Sequence, residues 1–132
     1  MSYCEYCNKL EEKDLHKIYH DNYYGFRIDS DNELFGRFIL EINQAGLSWT
    51  IILNKQENFR KAFDNYDTKI IEKYSESKIE DLLNNKGIVR NKLKINAVVY
   101  NAKQIEIIKQ KKTVPNFGTV FFCSIMSIKD VV

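Results

Sequence analysis

Glu41 is the first residue whose surroundings suggest chemistry. It follows Phe38 by three residues and lies at the edge of an apolar stripe that Leu34, Phe38 and Ile42 form at helical spacing. An ionised carboxylate at such an edge costs free energy unless a partner pairs with it or hydrogen-bonds to it. Trp49, the only tryptophan, follows in the next predicted helix. Two interpretations fit: a surface glutamate that faces solvent, or a pocket carboxylate that accepts hydrogen bonds from a ligand.

A second group, near the N-terminus, has spacing similar to that of zinc ligands. Cys4 and Cys7 form a Cys-x2-Cys pair, and His16 and His20 form a His-x3-His pair behind it. The gap between the pairs is shorter than a zinc finger uses, and too few apolar residues surround them for an independent finger core. The alternatives are a site that uses only some of these ligands and is completed from elsewhere, or buried thiols with two histidines on a polar helix face.

The segment 19–25, Tyr-His-Asp-Asn-Tyr-Tyr-Gly, is dense in aromatic and hydrogen-bonding groups. Aromatic clusters next to a glycine commonly close a core. They also serve as stacking platforms for flat ligands. Both interpretations stay open at this level.

Capping signals define the helices that must position these groups. Ser30 and Glu33 form a capping box before a helix predicted over 31–44, and Gly46 is its left-handed cap. Ser48 caps a following helix that carries Trp49 and the apolar positions up to residue 63. Residues 45–48 are therefore predicted to form a tight helix–helix turn that exposes one leucine.

The second half of the chain contains a basic hairpin. Asp67 caps a short helix, a second capping box at 77–80 precedes another, and a long helix begins near Asn91. A glycine hairpin around Gly87 lies between the second and the third of these helices. Four cations are close to it in the sequence: Lys86, Arg90, Lys92 and Lys94. Such a hairpin can aim backbone N–H groups and a helix N-terminus at a phosphate. A plain αα-hairpin with solvated cations fits equally well.

Composition sets the class of protein. The 132 residues are 44% hydrophobic and 29% charged, which predicts a single globular domain over residues 1–132. The apparent architecture is all-α. The sequence shows neither a membrane-span pattern nor an export signal, and three cysteines favour a reducing compartment, so we expect a cytoplasmic protein that does not bind membranes. The net charge of +2 gives weak support to a nucleic-acid partner.

The last apolar segment, 116–126, fits both strand and helix periodicity. We expect an edge strand, a final core helix or the start of a longer element there. Val120, Phe121 and Phe122 predict some unburied apolar surface, which would favour self-association. The chain is otherwise expected to be a monomer.

Several motifs together resemble a known family, the constitutive bacterial DNA-3-methyladenine glycosylases of type I, an all-α branch of the helix-hairpin-helix glycosylases. The resemblance runs from residue 4 to about residue 105. The matching pieces are Cys4, Tyr19-His20-Asp21 with Gly25, Asp29-Ser30, Leu34-Phe35, Leu40-Glu41, Gln44-Ala45-Gly46-Leu47-Ser48-Trp49, Leu53-Asn54-Lys55, Phe63, Gly87-Ile88-Val89-Arg90-Asn91 and Lys94-Ile95. The resemblance implies a base-excision repair enzyme that flips 3-methyladenine out of alkylated double-stranded DNA and releases the free base.

The resemblance also implies residue roles. Glu41 would be the catalytic residue, accepting hydrogen bonds from the extruded base, while Tyr19 and Trp49 would stack on it and Tyr24 and His16 would complete the pocket wall. Because 3-methyladenine in DNA is cationic and its glycosidic bond is already activated, recognition replaces a strong general base. The DNA contacts implied are Gly46 and Leu47 as a plug in the duplex, with Gly87, Arg90, Lys92 and Lys94 holding the backbone.

The chain departs from the family pattern at specific positions. Tyr23-Tyr24 replace a usual Glu-Trp, which keeps an aromatic residue at Tyr24, and His16 stands where tyrosine is usual. The family binds zinc, for which Cys4 and His20 match one ligand pair, but nothing after Cys123 supplies the second. The chain is therefore expected to be truncated at its C-terminus. The alternatives to an active glycosylase are a shortened homologue that binds DNA or base with little activity, and a small zinc-binding interaction module.

Overall fold

The computed structural model describes residues 1–111, which form α-helices joined by short turns, with no strand in this part of the chain. The expected all-α architecture is thus observed. The helices are α1 Tyr3–Asn8, α2 Leu15–Asn22, α3 Asp31–Gln44, α4 Trp49–Asn54, α5 Gln56–Ala62, α6 Thr68–Ile71, α7 Glu76–Asn84 and α8 Lys92–Gln110, with a 3₁₀ turn at Asp64–Tyr66 between α5 and α6.

Helix α3 is the central element, because its apolar stripe is buried among the other helices. It begins where predicted: Ser30 Oγ accepts a hydrogen bond from the backbone N–H of Glu33. The other half of the predicted capping box is wrong, since the Glu33 carboxylate instead accepts two hydrogen bonds from the guanidinium of Arg60 at 2.5 and 3.0 Å. A bidentate ion pair outcompetes a single bond to a backbone N–H.

The helix predicted from Ser48 to residue 63 is two helices in the structure. Ser48 Oγ does accept from the N–H of Ile51, as expected for an N-cap. The chain then departs from helical geometry at Lys55, which ends α4 and begins α5. Ile52 on α4 and Phe59 on α5 both lie in the core, where each is fully buried.

Helix α8 closes the other side of the core. Its buried face includes Ile95, Val98, Ala102 and Ile105, and it packs against α3, α6 and α7. It begins where predicted, near Asn91, whose side-chain oxygen caps the helix by accepting a hydrogen bond from the N–H of Lys94.

The cap predicted at Ser77 is wrong. Ser75 caps α7 by accepting from the N–H of Lys78, and Ser77 lies inside the helix. Either serine could cap the helix, because only one residue separates them. The cap at Ser75 gives a helix two residues longer than a cap at Ser77 would, and it satisfies one of the free N–H groups of the first turn. By contrast, Asp67 caps α6 as predicted.

Two further predictions concern membrane-spanning helices and the last apolar segment of the chain. None of the helices within residues 1–111 has the length and apolar character required to cross a membrane. The segment 116–126, including Val120, Phe121, Phe122 and Cys123, lies outside the described residues.

Candidate functional site

An aromatic pair joins α2 to the start of α4. Tyr19 is buried, with 6% of its surface exposed, and its ring meets Trp49 edge-to-face with centroids 5.2 Å apart and planes at 77°. Trp49 is the first residue of α4, directly after its cap Ser48, and Tyr19 lies in the middle of α2, which Asp14 caps. Trp49 is half-buried, which leaves part of the indole accessible.

Arg37 on α3 fixes the orientation of Tyr19. Its guanidinium donates to the Tyr19 hydroxyl at 3.0 Å and to the backbone oxygen of Tyr23 at 2.7 Å, and it stacks 5.1 Å from the centre of the Tyr19 ring. Sequence reasoning missed this residue. The available signal was its spacing four residues before Glu41, which places a cation and a carboxylate on the same helix face.

Glu41 lies one turn after Arg37 on α3 and is exposed. Burial raises the pKa of Tyr19, Arg37 opposes that rise, and the negative charge of Glu41 adds to it. The carboxylate therefore lies within electrostatic reach of the aromatic pair. Within residues 1–111 it forms no hydrogen bond or ion pair, so its oxygen atoms are open to a ligand with donor groups.

His16 bridges α1 and α4 through both ring nitrogens. Nε2 lies 2.8 Å from the Thr50 hydroxyl, and Nδ1 lies 3.3 Å from the hydroxyl of Tyr3. No sequence pattern predicts that Tyr3 lies beside the site, because it comes from a separate short helix. Burial and the neighbouring Cys7 thiol raise the pKa of Tyr3, so its hydroxyl stays protonated and able to donate.

Tyr24 lies on the α1 side of this cluster. Its ring stacks on His20 with centroids 5.6 Å apart and meets Tyr3 edge-to-face at 5.2 Å. The ring contacts of Tyr24 are therefore with the His20–Tyr3 group, whereas those of Tyr19 are with Trp49 and Tyr23.

The described residues do not by themselves fit a zinc ion. Cys4 is exposed, and His20 Nδ1 pairs with the carboxylate of Asp21 at 2.8 Å. Cys7 is buried, with its thiol directed at the carbonyl oxygen of His16 at 3.6 Å. No group of three histidine, cysteine or carboxylate side chains that could hold a metal occurs within residues 1–111.

The α3–α4 turn presents Gly46 at the surface. Gly46 has φ +80°, the left-handed conformation predicted for it, and a Cβ there would meet nothing within 4 Å. Leu47 is not fully exposed as expected; it is half-buried and packs against the core. Gln44 closes the turn, because its amide donates to the Leu47 carbonyl at 2.9 Å and its own carbonyl accepts from the Leu47 N–H.

The cations in and next to the hairpin between α7 and α8 differ in their exposure and in their contacts. Arg90 and Lys92 are exposed. Lys94 instead points back to α3, where its ammonium donates to the carbonyl oxygens of Asn43 and Ala45 at 2.8 and 2.6 Å. The N–H of Gly87 is already bonded to the Asn85 side chain at 2.8 Å, so it is not one of the free N–H groups predicted for a phosphate.

Comparison with known proteins places this arrangement in a family. The family model of methyladenine glycosylases matches residues 9–128. The chain belongs to this family. A DNA-3-methyladenine glycosylase of Haemophilus influenzae is 34% identical over 96% of the chain and 66% of its own length. DNA-3-methyladenine glycosylase 1 of Escherichia coli is 36% identical over 75% of the chain and 53% of its own length.

The fold agrees with that assignment. A crystal structure of a 3-methyladenine DNA glycosylase I superimposes with a TM-score of 0.73 at 37% identity, covering 80% of this chain and 58% of that one. The predicted glycosylase-like all-α fold is therefore confirmed. This methyladenine glycosylase family member spans between about half and two thirds of the lengths of the relatives that it matches.

Proposed function

We propose that this methyladenine glycosylase family member hydrolyses the N-glycosidic bond of 3-methyladenine in alkylated double-stranded DNA. One observation carries the proposal: the exposed carboxylate of Glu41, which has no partner within residues 1–111, lies within electrostatic reach of the Tyr19–Trp49 pair. The similarity to DNA-3-methyladenine glycosylases supports the choice of base.

The chemistry of the lesion matches this group of residues. A flipped base must be held by its edge and by its faces, which requires hydrogen-bond acceptors together with aromatic rings. Methylation at N3 makes the base cationic, so it is attracted by a carboxylate and by π faces. Glu41 accepts hydrogen bonds from the base, Tyr19 and Trp49 enclose it, and His16 and Tyr24 belong to the surrounding wall. Because the positive charge already weakens the glycosidic bond, positioning of base and water is sufficient.

The DNA would be held by two segments of the chain. Gly46 and Leu47 would occupy the space that the flipped base leaves, in the way that apolar wedges do. The hairpin around Gly87 would act as a helix-hairpin-helix element, with Arg90 and Lys92 contacting phosphates without reading sequence. Exposure of both side chains supports this part of the proposal.

The remaining parts of the proposal concern metal, assembly and location. Cys4 and His20 would supply two zinc ligands, and because the described residues do not complete a set, no step of the proposed reaction uses the metal. We further propose a monomer that works in the cytoplasm.

Release of free 3-methyladenine from methylated duplex DNA tests the reaction. We expect release by the wild-type protein and a loss of about ten- to a hundredfold in rate in Glu41→Gln, because a hydrogen bond to a charged group contributes about 1.5–3 kcal/mol. The matched control is Glu80→Gln, which changes an exposed glutamate on α7 and should keep the wild-type rate. If the wild-type protein binds DNA but releases no 3-methyladenine, the proposed hydrolysis is wrong and a DNA-binding role takes its place.

A further inference from the structure

Lys94 has contacts that differ from those of a phosphate-binding lysine. It lies in the first turn of α8, and its ammonium donates to the carbonyl oxygens of Asn43 and Ala45 at the end of α3. An ammonium has three donors, so two of them are already used. The side chain is half-buried, and burial lowers its pKa.

Those two carbonyls lie at the C-terminus of α3. The last carbonyl groups of a helix have no partner within the helix, and the helix dipole makes that end negative. Lys94 therefore caps α3 from a different helix. The chain turns away directly after Ala45, since Gly46 adopts φ +80° and leads into Leu47 and α4. The ammonium thus fixes the backbone at the base of the turn 45–48.

The same lysine belongs to the segment that follows the hairpin 85–91. Asn91 caps α8 through the N–H of Lys94, so the backbone of Lys94 is tied to the hairpin while its side chain is tied to α3. A second bond joins the hairpin to the α4–α5 junction, because Lys55 Nζ donates to the Lys86 carbonyl at 3.3 Å.

We propose that Lys94 is a positioning residue, which holds the turn 45–48 at a fixed distance from the hairpin 85–91. This inference rests on the proposed function, in which the turn fills the vacated space in the duplex and the hairpin holds its backbone. Because Lys94 connects the two segments, a duplex whose backbone is bound at the hairpin has the Gly46–Leu47 turn placed at the position of the flipped base. Lys94 then contributes to extrusion of the base without contacting phosphate.

Salt dependence of duplex binding separates the two roles. Each phosphate contact contributes about one unit to the slope of log K against log salt concentration. Lys92→Met, which removes an exposed cation without a partner in the described chain, should reduce the slope by about one unit. Lys94→Met should leave the slope unchanged. A reduced slope in Lys94→Met would overturn the proposal.

A second readout separates positioning of the turn from general damage to the fold. We compare release of 3-methyladenine from methylated duplex and from methylated single strands, because only a paired base needs its place in the duplex filled. Lys94→Met should lose about tenfold on duplex DNA and stay near the wild-type rate on single strands. An equal loss on both forms would contradict the proposal.

A third readout needs no variant. The ¹⁵N resonance of Lys94 Nζ in wild-type protein should stay in place when unmodified duplex is added, while that of Lys92 shifts. A shift at Lys94 equal to that at Lys92 would overturn the proposal even if Lys94→Met does not fold. If wild-type protein releases no base from either DNA form, the proposed function fails, whereas the slopes and resonances still decide the role of Lys94.

Discussion

Gly36 allows α3 to approach the 3₁₀ turn, and replacing it should destabilise the protein. A Cβ at position 36 would lie 2.8 Å from Cγ of the Tyr66 ring, with two further ring carbons closer still. Tyr66 cannot move aside easily, because only 2% of it is exposed and its ring is stacked under the guanidinium of Arg60. The new methyl group therefore overpacks the core.

Two opposing terms set the size of the effect of Gly36→Ala. Alanine in a helix interior is more favourable than glycine by about 1 kcal/mol. Overpacking of a closed core costs about 1–3 kcal/mol, and contacts this short belong to the upper part of that range. The net loss is about 1–2 kcal/mol, which lowers the melting temperature by about 4–8 °C in a domain of this size.

Thermal unfolding followed by circular dichroism measures this change directly. In a Tyr66→Leu background, where the ring is absent, Gly36→Ala should cost less than in the wild-type protein, so the double mutant should lose less stability than the sum of the two single mutants. A stabilisation of about 1 kcal/mol by Gly36→Ala alone would show that helix propensity decides the outcome and would refute the packing argument.

Two further predictions concern ionisable groups. Arg37→Met should raise the pKa of the Tyr19 hydroxyl, because the guanidinium favours the ionised phenol. The pKa can be followed by the ¹³C resonances of labelled tyrosine, and an unchanged value would disprove the contact between Arg37 and Tyr19. Arg60 holds the pKa of Glu33 below its ordinary value, so the ion pair stabilises the folded state above about pH 4.3 and is lost as the pH falls through the lower folded value. Urea unfolding between pH 3 and 7 should therefore show a smaller loss of stability at low pH in Glu33→Gln than in the wild-type protein, and equal losses would contradict this.

Local signals were sufficient to predict much of the scaffold. Helix α3, its left-handed Gly46 and the start of α8 at Asn91 all follow from caps and apolar spacing within a few residues, and each is observed. The turn between α3 and α4 was predictable for the same reason, since Ser48 caps the following helix.

Contacts between distant segments could not be predicted from those signals. The capping box at Ser30 fails in part because Arg60, far along the chain, captures Glu33. Tyr3 joins the candidate site through its contact with His16 on α2, and Arg37 joins it through its hydrogen bond to Tyr19 on α2. Helical spacing places Arg37 on the same face as Glu41, but it predicts neither of these contacts between helices. In the sequence, Lys94 looks like the other cations near the hairpin. Its hydrogen bonds to the last carbonyl groups of α3, which only the structure shows, distinguish it from Arg90 and Lys92.

The most direct measurement is a titration of free 3-methyladenine followed by tryptophan fluorescence. Trp49 is the only tryptophan, so any change in emission reports on the candidate site itself. We expect saturable quenching in the wild-type protein, much weaker quenching by unmethylated adenine, and binding that is about ten- to a hundredfold weaker in Glu41→Gln. Emission that does not change with 3-methyladenine, or equal binding by wild-type protein and Glu41→Gln, would contradict the account of the site.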